Sequence, residues 1–233
     1  SVGLSEGASL HRPGCAYSSS FRASCRSNWT NRSSCRDAPP REIVGAMSEP
    51  DNRKVFVSFA GEVNQRSIAR LCDVVTNCIN DGAEEFHLAL QSGGGGVEEA
   101  LFAYNLLRGA PLKVTTYNQG AVYSAAVILL LAGEKRYCAP NAYIMVHPVA
   151  AQFNGTYGAD HISSTLKGLR AGDDLVGGIL KQHTTLPDNL LSARQYADVF
   201  INSDKAMEWG FVHGVGVMQV VPTTRRVMFV HAF

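Results

Sequence analysis

The chain has 233 residues, of which 45% are hydrophobic and 18% are charged, a composition typical of globular proteins with enough apolar material for a core. The formal net charge is +1, so nothing in the composition points to a nucleic-acid partner. The longest apolar run, Ala125 to Ala132, is shorter than the roughly 18 residues that a membrane span needs, and no membrane partner is expected.

Residues 1–46 differ in composition from the rest of the chain. They contain ten Ser, six Arg and three evenly spaced cysteines, without the apolar periodicity of a packed element. We therefore predict a disordered leader, which is either an organelle transit peptide or a non-native extension before a start at Met47. The protein is expected in the cytoplasm, or in an organelle if the leader is a transit peptide. Residues 47–221 are expected to form one domain, and residues 222–233 a C-terminal tail.

From residue 54 onward the sequence alternates between the periods of strands and helices. Strands are predicted at residues 54–59, 85–91, 112–117 and 143–146, and helices at residues 64–80, 97–107 and 125–132. Gly120 is expected to break the third strand before the helix that follows. This alternation indicates parallel β-α-β units covered on both faces, so the predicted fold class is α/β.

The pattern changes after residue 148. One long helix is predicted from residue 159 to about 184, a second helix from 187 to about 195, an extended stretch at 197–201 and a short helix at 203–209. A final strand region is predicted between residues 211 and 218, and the remainder is ambiguous.

Three features of this pattern are compatible with acyl-transfer chemistry. Ser124 is expected at a strand-to-helix turn, in the first turn of the helix, where backbone N–H groups have no intrahelical partner. His147 follows a predicted parallel strand at its C-terminal end, where open α/β sheets place their sites. A run of glycines, residues 93–96, follows another strand and can bring N–H groups close to a substrate. The alternative for Ser124 is an ordinary helix cap.

Five segments carry a resemblance to a known family. They are Gln91-Ser92-Gly93-Gly94-Gly95, Gly120 to Ser124, Met145-Val146-His147, Asp198-Val199-Phe200, and Ala206 to Val212. In their order and spacing they resemble the ClpP-like serine peptidases, the proteolytic subunits of the Clp protease, over about residues 54–213.

The resemblance implies a fold and a set of site residues. The fold would be the ClpP/crotonase-like arrangement of repeated β-α-β units with a protruding handle helix, which residues 155–184 would supply. Ser124 would be the nucleophile, His147 the general base and Asp198 the group that orients the imidazole. The backbone N–H groups of Gly95 and Ala125 would form the oxyanion hole. No metal and no cofactor are implied.

The resemblance also implies partners. Self-assembly into stacked rings is expected, with peptides or unfolded proteins as substrates. An AAA+ unfoldase is the remaining implied partner, and two features argue against its docking: only residues 48–52 separate Met47 from the first strand, and the docking strand ends in polar Asn118 and Gln119. No Gly-x-x-x-x-Gly-Lys-Ser/Thr loop occurs, so any ATP would be hydrolysed by that partner. The family's proline is replaced by Gly93, which is expected to loosen the oxyanion loop, and Tyr123 is expected to narrow the specificity pocket.

The sequence therefore predicts a serine endopeptidase that acts through a Ser-His-Asp triad and an acyl-enzyme. Two alternatives remain open: a catalytically silent ClpP-like ring subunit, and a crotonase-like acyl-CoA-binding enzyme that uses the same kind of backbone oxyanion hole.

Overall fold

The structure is a computed structural model that describes residues 53–220 and 227–232. The elements in chain order are β1 (Lys54–Gly61), α1 (Gln65–Asn80), β2 (Glu85–Ser92), α2 (Val97–Gly109), β3 (Lys113–Tyr123), α3 (Ala126–Leu131), β4 (Lys135–Cys138), β5 (Tyr143–Val146), α4 (Ala159–His183), α5 (Asp188–Ala193), β6 (Val199–Asn202), α6 (Ser203–Glu208), β7 (Gly214–Val215) and β8 (Val227–Ala232). The predicted α/β class is confirmed. The predicted leader, residues 1–46, lies outside the described residues.

The sheet is parallel except at one edge. Its main order is β6-β5-β3-β2-β1-β8, and β4 pairs with β3 and with β7. All the strand pairs are parallel except β5 with β6. The segment expected to be a C-terminal tail contributes β8, which lies beside β1 at the far edge from β6. The sheet therefore extends further along the sequence than the apolar pattern indicates.

Strand β3 has two partners along one side, and this fork determines where the site forms. Its first part, Thr115 to Asn118, pairs with β4, and its last part, Ala121 to Tyr123, pairs with β5. The expectation that Gly120 ends the strand is wrong. The strand continues through Gly120 because the side-chain oxygen of Gln91 accepts a hydrogen bond from the N–H of Ala121 at 2.8 Å, and β5 takes over the ladder from there.

Helix α1 begins where the sequence predicts it. The side chain of Asn64 accepts a hydrogen bond from the N–H of Ser67, and the Ser67 hydroxyl accepts one from the N–H of Asn64. This reciprocal capping satisfies two N–H groups that a helix start leaves unpaired. The helix then packs Ile68, Leu71 and Val75 into the core.

Arg136 of β4 connects the ends of several elements. Its side chain is 6% exposed, and its guanidinium donates hydrogen bonds to the carbonyl oxygens of Phe211 (2.8 Å), Gly210 (3.0 Å), Gly133 (3.2 Å) and His183 (3.3 Å). Burial lowers the pKa of Arg136 from its usual value. Strand β4 was absent from the sequence-based prediction, and it is this strand that connects the ends of α3, α4 and α6.

Among the described residues, no helix is long and apolar enough to cross a membrane. Cys78 and Cys138 are buried and Cys72 is half-buried, and none of the three forms a disulfide within the described residues. Burial raises the pKa of the Cys138 thiol to about 11.

Stability is predicted to decrease in mild acid because of His213. The N–H of Arg136 donates to Nδ1 of His213 at 3.0 Å, which requires that nitrogen to be unprotonated. Burial and, next to it, the charge of Arg136 lower the pKa of His213 from its usual value. The unfolded chain therefore binds more protons, and the free energy of unfolding, fully maintained above about pH 6.5, falls as the pH drops below that value. Burial lowers the pKa of His87 and of His183 as well, so they contribute with the same sign.

Urea unfolding between pH 7.5 and 5 at fixed protein concentration measures this dependence. The His213→Asn variant keeps an acceptor that does not titrate, so its stability should vary less with pH than that of the wild type. His161→Asn, at an exposed histidine of α4, is the control and should follow the wild type. Identical pH dependence in His213→Asn and the wild type would contradict the prediction.

Candidate active site

Ser124 lies at a tight turn between β3 and α3. Its φ is 54°, and it is the one non-glycine residue in the described part of the chain with a positive φ. The turn is held by a hydrogen bond from the N–H of Ser124 to the Met145 carbonyl at 2.8 Å and by another from Val127 to the Ser124 carbonyl at 3.0 Å. Such a conformation costs about 1–3 kcal/mol and is typical of strained turns that expose a nucleophile.

The strained turn corrects two expectations for Ser124. The helix begins one residue later than predicted, with Ala125 at the N-cap position of α3 and no side-chain capping bond. Ser124 therefore precedes the helix instead of lying in its first turn, and the alternative that it is an ordinary helix cap is wrong. Its hydroxyl is directed to a different partner.

That partner is His147. Its Nε2 lies 2.7 Å from the Ser124 Oγ, and both residues are half-buried. The β3 fork explains the contact, since Tyr123 pairs with Met145 and both chains leave the sheet at the same edge. A hydroxyl hydrogen-bonded to an imidazole is the arrangement in which the imidazole can take the hydroxyl proton.

Asp198 is not hydrogen-bonded to this pair. It is exposed, and no hydrogen bond or ion pair joins its carboxylate to His147. The backbone nevertheless brings the two residues to neighbouring positions. Strands β5 and β6 are antiparallel, with Val146 opposite Val199, so one further step of the register sets His147 opposite Asp198. Side chains directly opposite each other in such a pair have Cβ atoms about 5 Å apart.

The glycine run passes directly against Ser124. A Cβ on Gly94 would lie 2.6 Å from the Cβ of Ser124 and 2.9 Å from the Tyr123 carbonyl oxygen. The φ of Gly94 is 98° and that of Gly95 is 142°, values that favour glycine. Val63 fixes the run, because its N–H donates to the Gly94 carbonyl and its own carbonyl accepts from Gly96, both at 2.8 Å. The run is therefore fixed against both the turn at Ser124 and the loop after β1.

A cavity of about 120 Å³ opens beside Ser124 and His147. The residues that line it are Gly95, Val97, Ser124, Ala125, Val127, Ile128, Leu131, Val146, His147, Pro148, Val149, Ala150, Val176, Ile179 and Leu180. His147 is the one titratable side chain among them, and the rest of the wall is almost entirely apolar. The N–H groups of Gly95 and Ala125 have no backbone hydrogen-bond acceptor in the described part of the chain.

The sequence-based reasoning missed part of this wall. Val176, Ile179 and Leu180 come from α4, and their i, i+3, i+4 spacing is the signal by which this face could have been found. Tyr123, which was expected to narrow the specificity pocket, does not line this cavity, because its ring packs edge-on against Phe200 at 6.0 Å. A Cβ on Gly93 would meet no heavy atom within 4 Å.

In the described residues no group of three or more His, Cys, Asp or Glu side chains could hold a metal ion.

Comparison with known proteins identifies the family. The family model described as Clp protease matches residues 46–219. The chain belongs to the Clp protease family. The chain is 27% identical to the ATP-dependent Clp protease proteolytic subunit 1 of Streptomyces avermitilis over 195 residues, which cover 82% of this chain and 89% of the relative. It is 29% identical to the ATP-dependent Clp protease proteolytic subunit of Dehalococcoides mccartyi over 189 residues, covering 74% of this chain and 94% of the relative.

A solved structure supports the same fold. A ClpP1 mutant from Listeria monocytogenes matches with a TM-score of 0.63 at 20% identity, covering 72% of this chain and 94% of its own. The predicted ClpP fold is thus confirmed, and the chain belongs to a peptidase family. The match gives no support to the crotonase-like alternative.

The close approach of Gly94 gives a direct test of the site geometry. Gly94→Ala should reduce the rate of Ser124 labelling by a fluorophosphonate by about a hundredfold, because the new methyl group displaces the turn at Ser124. Gly93→Ala is the matched control, one residue away with open space around its Cβ position, and should label at close to the wild-type rate. Equal labelling of the Gly94 and Gly93 variants would contradict the geometry.

Proposed function

We propose that the chain is a serine endopeptidase that cleaves small or unfolded polypeptides through an acyl-enzyme. One observation carries the proposal: the 2.7 Å contact between the Ser124 hydroxyl and His147 Nε2, at a serine held with a φ of 54°. A strained serine turn next to an imidazole has a chemical use that a structural hydrogen bond does not require. Membership of a peptidase family adds independent support.

The proposed reaction has two half-reactions. In the first, the Ser124 Oγ attacks the peptide carbonyl while His147 Nε2 takes the hydroxyl proton, and His147 then gives that proton to the departing amine. In the second, His147 takes a proton from water, the resulting hydroxide attacks the acyl carbon, and the proton returns to Ser124 Oγ as the ester bond breaks. The N–H groups of Gly95 and Ala125 are proposed to bind the oxyanion in both steps, and their lack of a backbone acceptor supports this role.

Asp198 is proposed to orient His147 during this cycle. The strand register, which sets Asp198 opposite His147, supports the role. The missing hydrogen bond means that the Asp198 side chain must turn toward the imidazole before it can act. The same missing bond favours a second candidate function, a catalytically silent ring subunit.

The cavity supports a preference for an apolar substrate side chain. Its wall between α3, α4 and the loop after β5 has no carboxylate or ammonium group to pair with a charged side chain. We propose that the side chain preceding the cut bond enters this cavity, so leucine-like residues should be favoured there.

Self-assembly into stacked rings is proposed from the surface of α4. Only Leu180 is buried among its 25 residues, and Ile162, Leu166 and Leu175 are 51%, 46% and 57% exposed. Large apolar side chains exposed along one helix are typical of an interface. The two relatives are named as subunits of ATP-dependent proteases, which supports proposing an AAA+ ATPase partner that delivers unfolded chains.

Ser124→Ala should abolish both labelling by a fluorophosphonate and cleavage of a peptide with leucine before the cut bond. The expected loss is about 10⁴-fold or more, because no other group in the cavity can form the acyl-enzyme. Labelling should be measured on protein separated by native size, with Ser192→Ala, at an exposed serine of α5, as the control. A well-assembled wild type that is neither labelled nor able to cut the peptide would overturn the proposal and favour the silent subunit.

Asp198→Asn should lower the rate of peptide cleavage by about a hundredfold or more, since the amide cannot stabilise the imidazolium formed during acylation. Asp204→Asn, an exposed carboxylate in the first turn of α6, is the matched control and should leave the rate unchanged. Wild-type activity in Asp198→Asn would contradict the proposed role of Asp198 and leave Ser124 and His147 as the catalytic residues.

A further inference from the structure

Asp173, in the second half of α4, contacts the loop that follows His147. Its Oδ1 accepts a hydrogen bond from the backbone N–H of Val149 at 2.9 Å. The same oxygen accepts a hydrogen bond from Arg194 Nη1 at 3.1 Å, and Arg194 Nη2 donates to the Asp173 backbone carbonyl at 2.9 Å. Arg194 therefore binds both the side chain and the backbone of Asp173, and Asp173 binds the backbone of the loop that follows His147.

The pair is largely removed from water. The Arg194 side chain is 2% exposed and that of Asp173 is 18% exposed. Within the described residues, both hydrogen-bond acceptors of the Arg194 guanidinium belong to Asp173. Arg194 Nε is buried without a hydrogen-bond partner there. The orientation of this buried guanidinium therefore depends on Asp173 alone among the described side chains.

One glycine of α4, Gly177, makes room for this arrangement. A Cβ on Gly177 would lie 3.0 Å from Arg194 Nη2, and a Cβ on Gly172 would touch the Val149 side chain at 3.5 Å. Glycine in a helix interior costs about 0.5–1 kcal/mol relative to alanine. The close approach of Arg194 gives Gly177 a physical role, whereas an alanine at residue 172 would make only an ordinary contact with Val149.

The contacts of Asp173 connect three parts of the proposed site: the loop after His147, the cavity wall and the segment that leads to Asp198. Val149 follows His147 by two residues and lines the cavity, as do Pro148 and Ala150. Arg194 closes α5 and precedes Asp198 by four residues. The group formed by Asp173, Arg194 and the Val149 N–H therefore lies where α4, the His147 loop and the segment carrying Asp198 meet.

We infer that Asp173 is a positioning residue that fixes His147 and the cavity wall for acylation, with Arg194 holding Asp173 in place. The inference rests on the proposed function and deepens it. The hydrogen bond to Val149 limits how far the loop can move, and His147 must keep its place against Ser124 within a fraction of an ångström for proton transfer to be efficient.

Four variants separate this role from simple stabilisation. Asp173→Ala removes the acceptor for Val149. Asp173→Asn keeps an oxygen that can accept from Val149 while it removes the charge. The double variant Asp173→Ala/Arg194→Met removes the acceptor together with the buried cation, so that no unpaired charge remains to destabilise the fold. Asp174→Ala, at the adjacent exposed carboxylate of α4, is the matched control.

The measurements are the second-order rate of fluorophosphonate labelling, kcat and KM for the leucine peptide, and the melting temperature. Asp173→Ala and the double variant should label about ten- to a hundredfold more slowly than the wild type, mainly through kcat. Asp173→Asn should recover most of the rate, and Asp174→Ala should match the wild type. The double variant should melt at a higher temperature than Asp173→Ala and still label slowly.

Wild-type labelling by a folded double variant would overturn the positioning role, as would equal loss of labelling in Asp173→Asn and Asp173→Ala. Both outcomes are distinct from failure of the proposed function, in which the wild type itself is neither labelled at Ser124 nor able to cut the peptide.

Discussion

The close approach of the glycine run to the turn after β3 is the constraint on which the site depends. No side chain fits between Gly94 and Ser124, since even a Cβ would lie 2.6 Å from the Cβ of Ser124. The run is held from its other side by the two hydrogen bonds to Val63, so it cannot retreat without breaking them. The backbone N–H of Gly95 is thereby kept beside the turn at Ser124. An oxyanion hole built from main-chain groups requires such proximity, because backbone donors cannot reach out as side chains do.

The fork in β3 supplies the second half of the arrangement. A strand with one partner along its whole length would set its end opposite a single neighbour. Here β4 accompanies the first part of β3, and β5 begins beside its last part, so β5 ends level with the turn at Ser124. His147 is the first residue after β5 and Asp198 is the last before β6, which pairs antiparallel with β5. One sheet edge thus gathers three residues that are far apart in sequence.

Much of the fold follows from local patterns in the sequence. The capped start of α1 and the strands β1 and β2 were predictable, because apolar periodicity and turn chemistry are properties of short segments. The behaviour of β3 was not predictable. Gly120 predicts the end of the strand. The strand continues because the Gln91 side chain and β5, from distant parts of the chain, provide hydrogen-bond partners for its last residues. Strand β4 is short, and its Arg136 is explained only by the carbonyl groups that converge on it.

The candidate site shows the same limit. A family resemblance finds Ser124, His147 and Asp198, since each occupies a matching motif. The positive φ of Ser124 and the free orientation of the Asp198 carboxylate belong to the folded backbone, and no motif encodes them. The hydrogen bond between Asp173 and Arg194 connects two residues that are 21 positions apart in the sequence. Considered alone, either residue would be predicted to be an ordinary charged residue on the surface.

Helix α4 is not explained by its own propensity. It contains four glycines, Gly168, Gly172, Gly177 and Gly178, each unfavourable by about 0.5–1 kcal/mol, and it buries only Leu180. Its C-terminal half is stabilised by the cavity wall and by the contacts of Asp173 with Arg194 and Val149. The N-terminal half has no comparable support within the described part of the chain, and it exposes Ile162 and Leu166. Since most helical stability in proteins comes from packing of an apolar face, this half requires a surface that the described residues do not provide, and a second copy in the proposed ring assembly would supply one. In that assembly the N-terminal half of α4 would contact another subunit, while its C-terminal half forms part of the cavity wall.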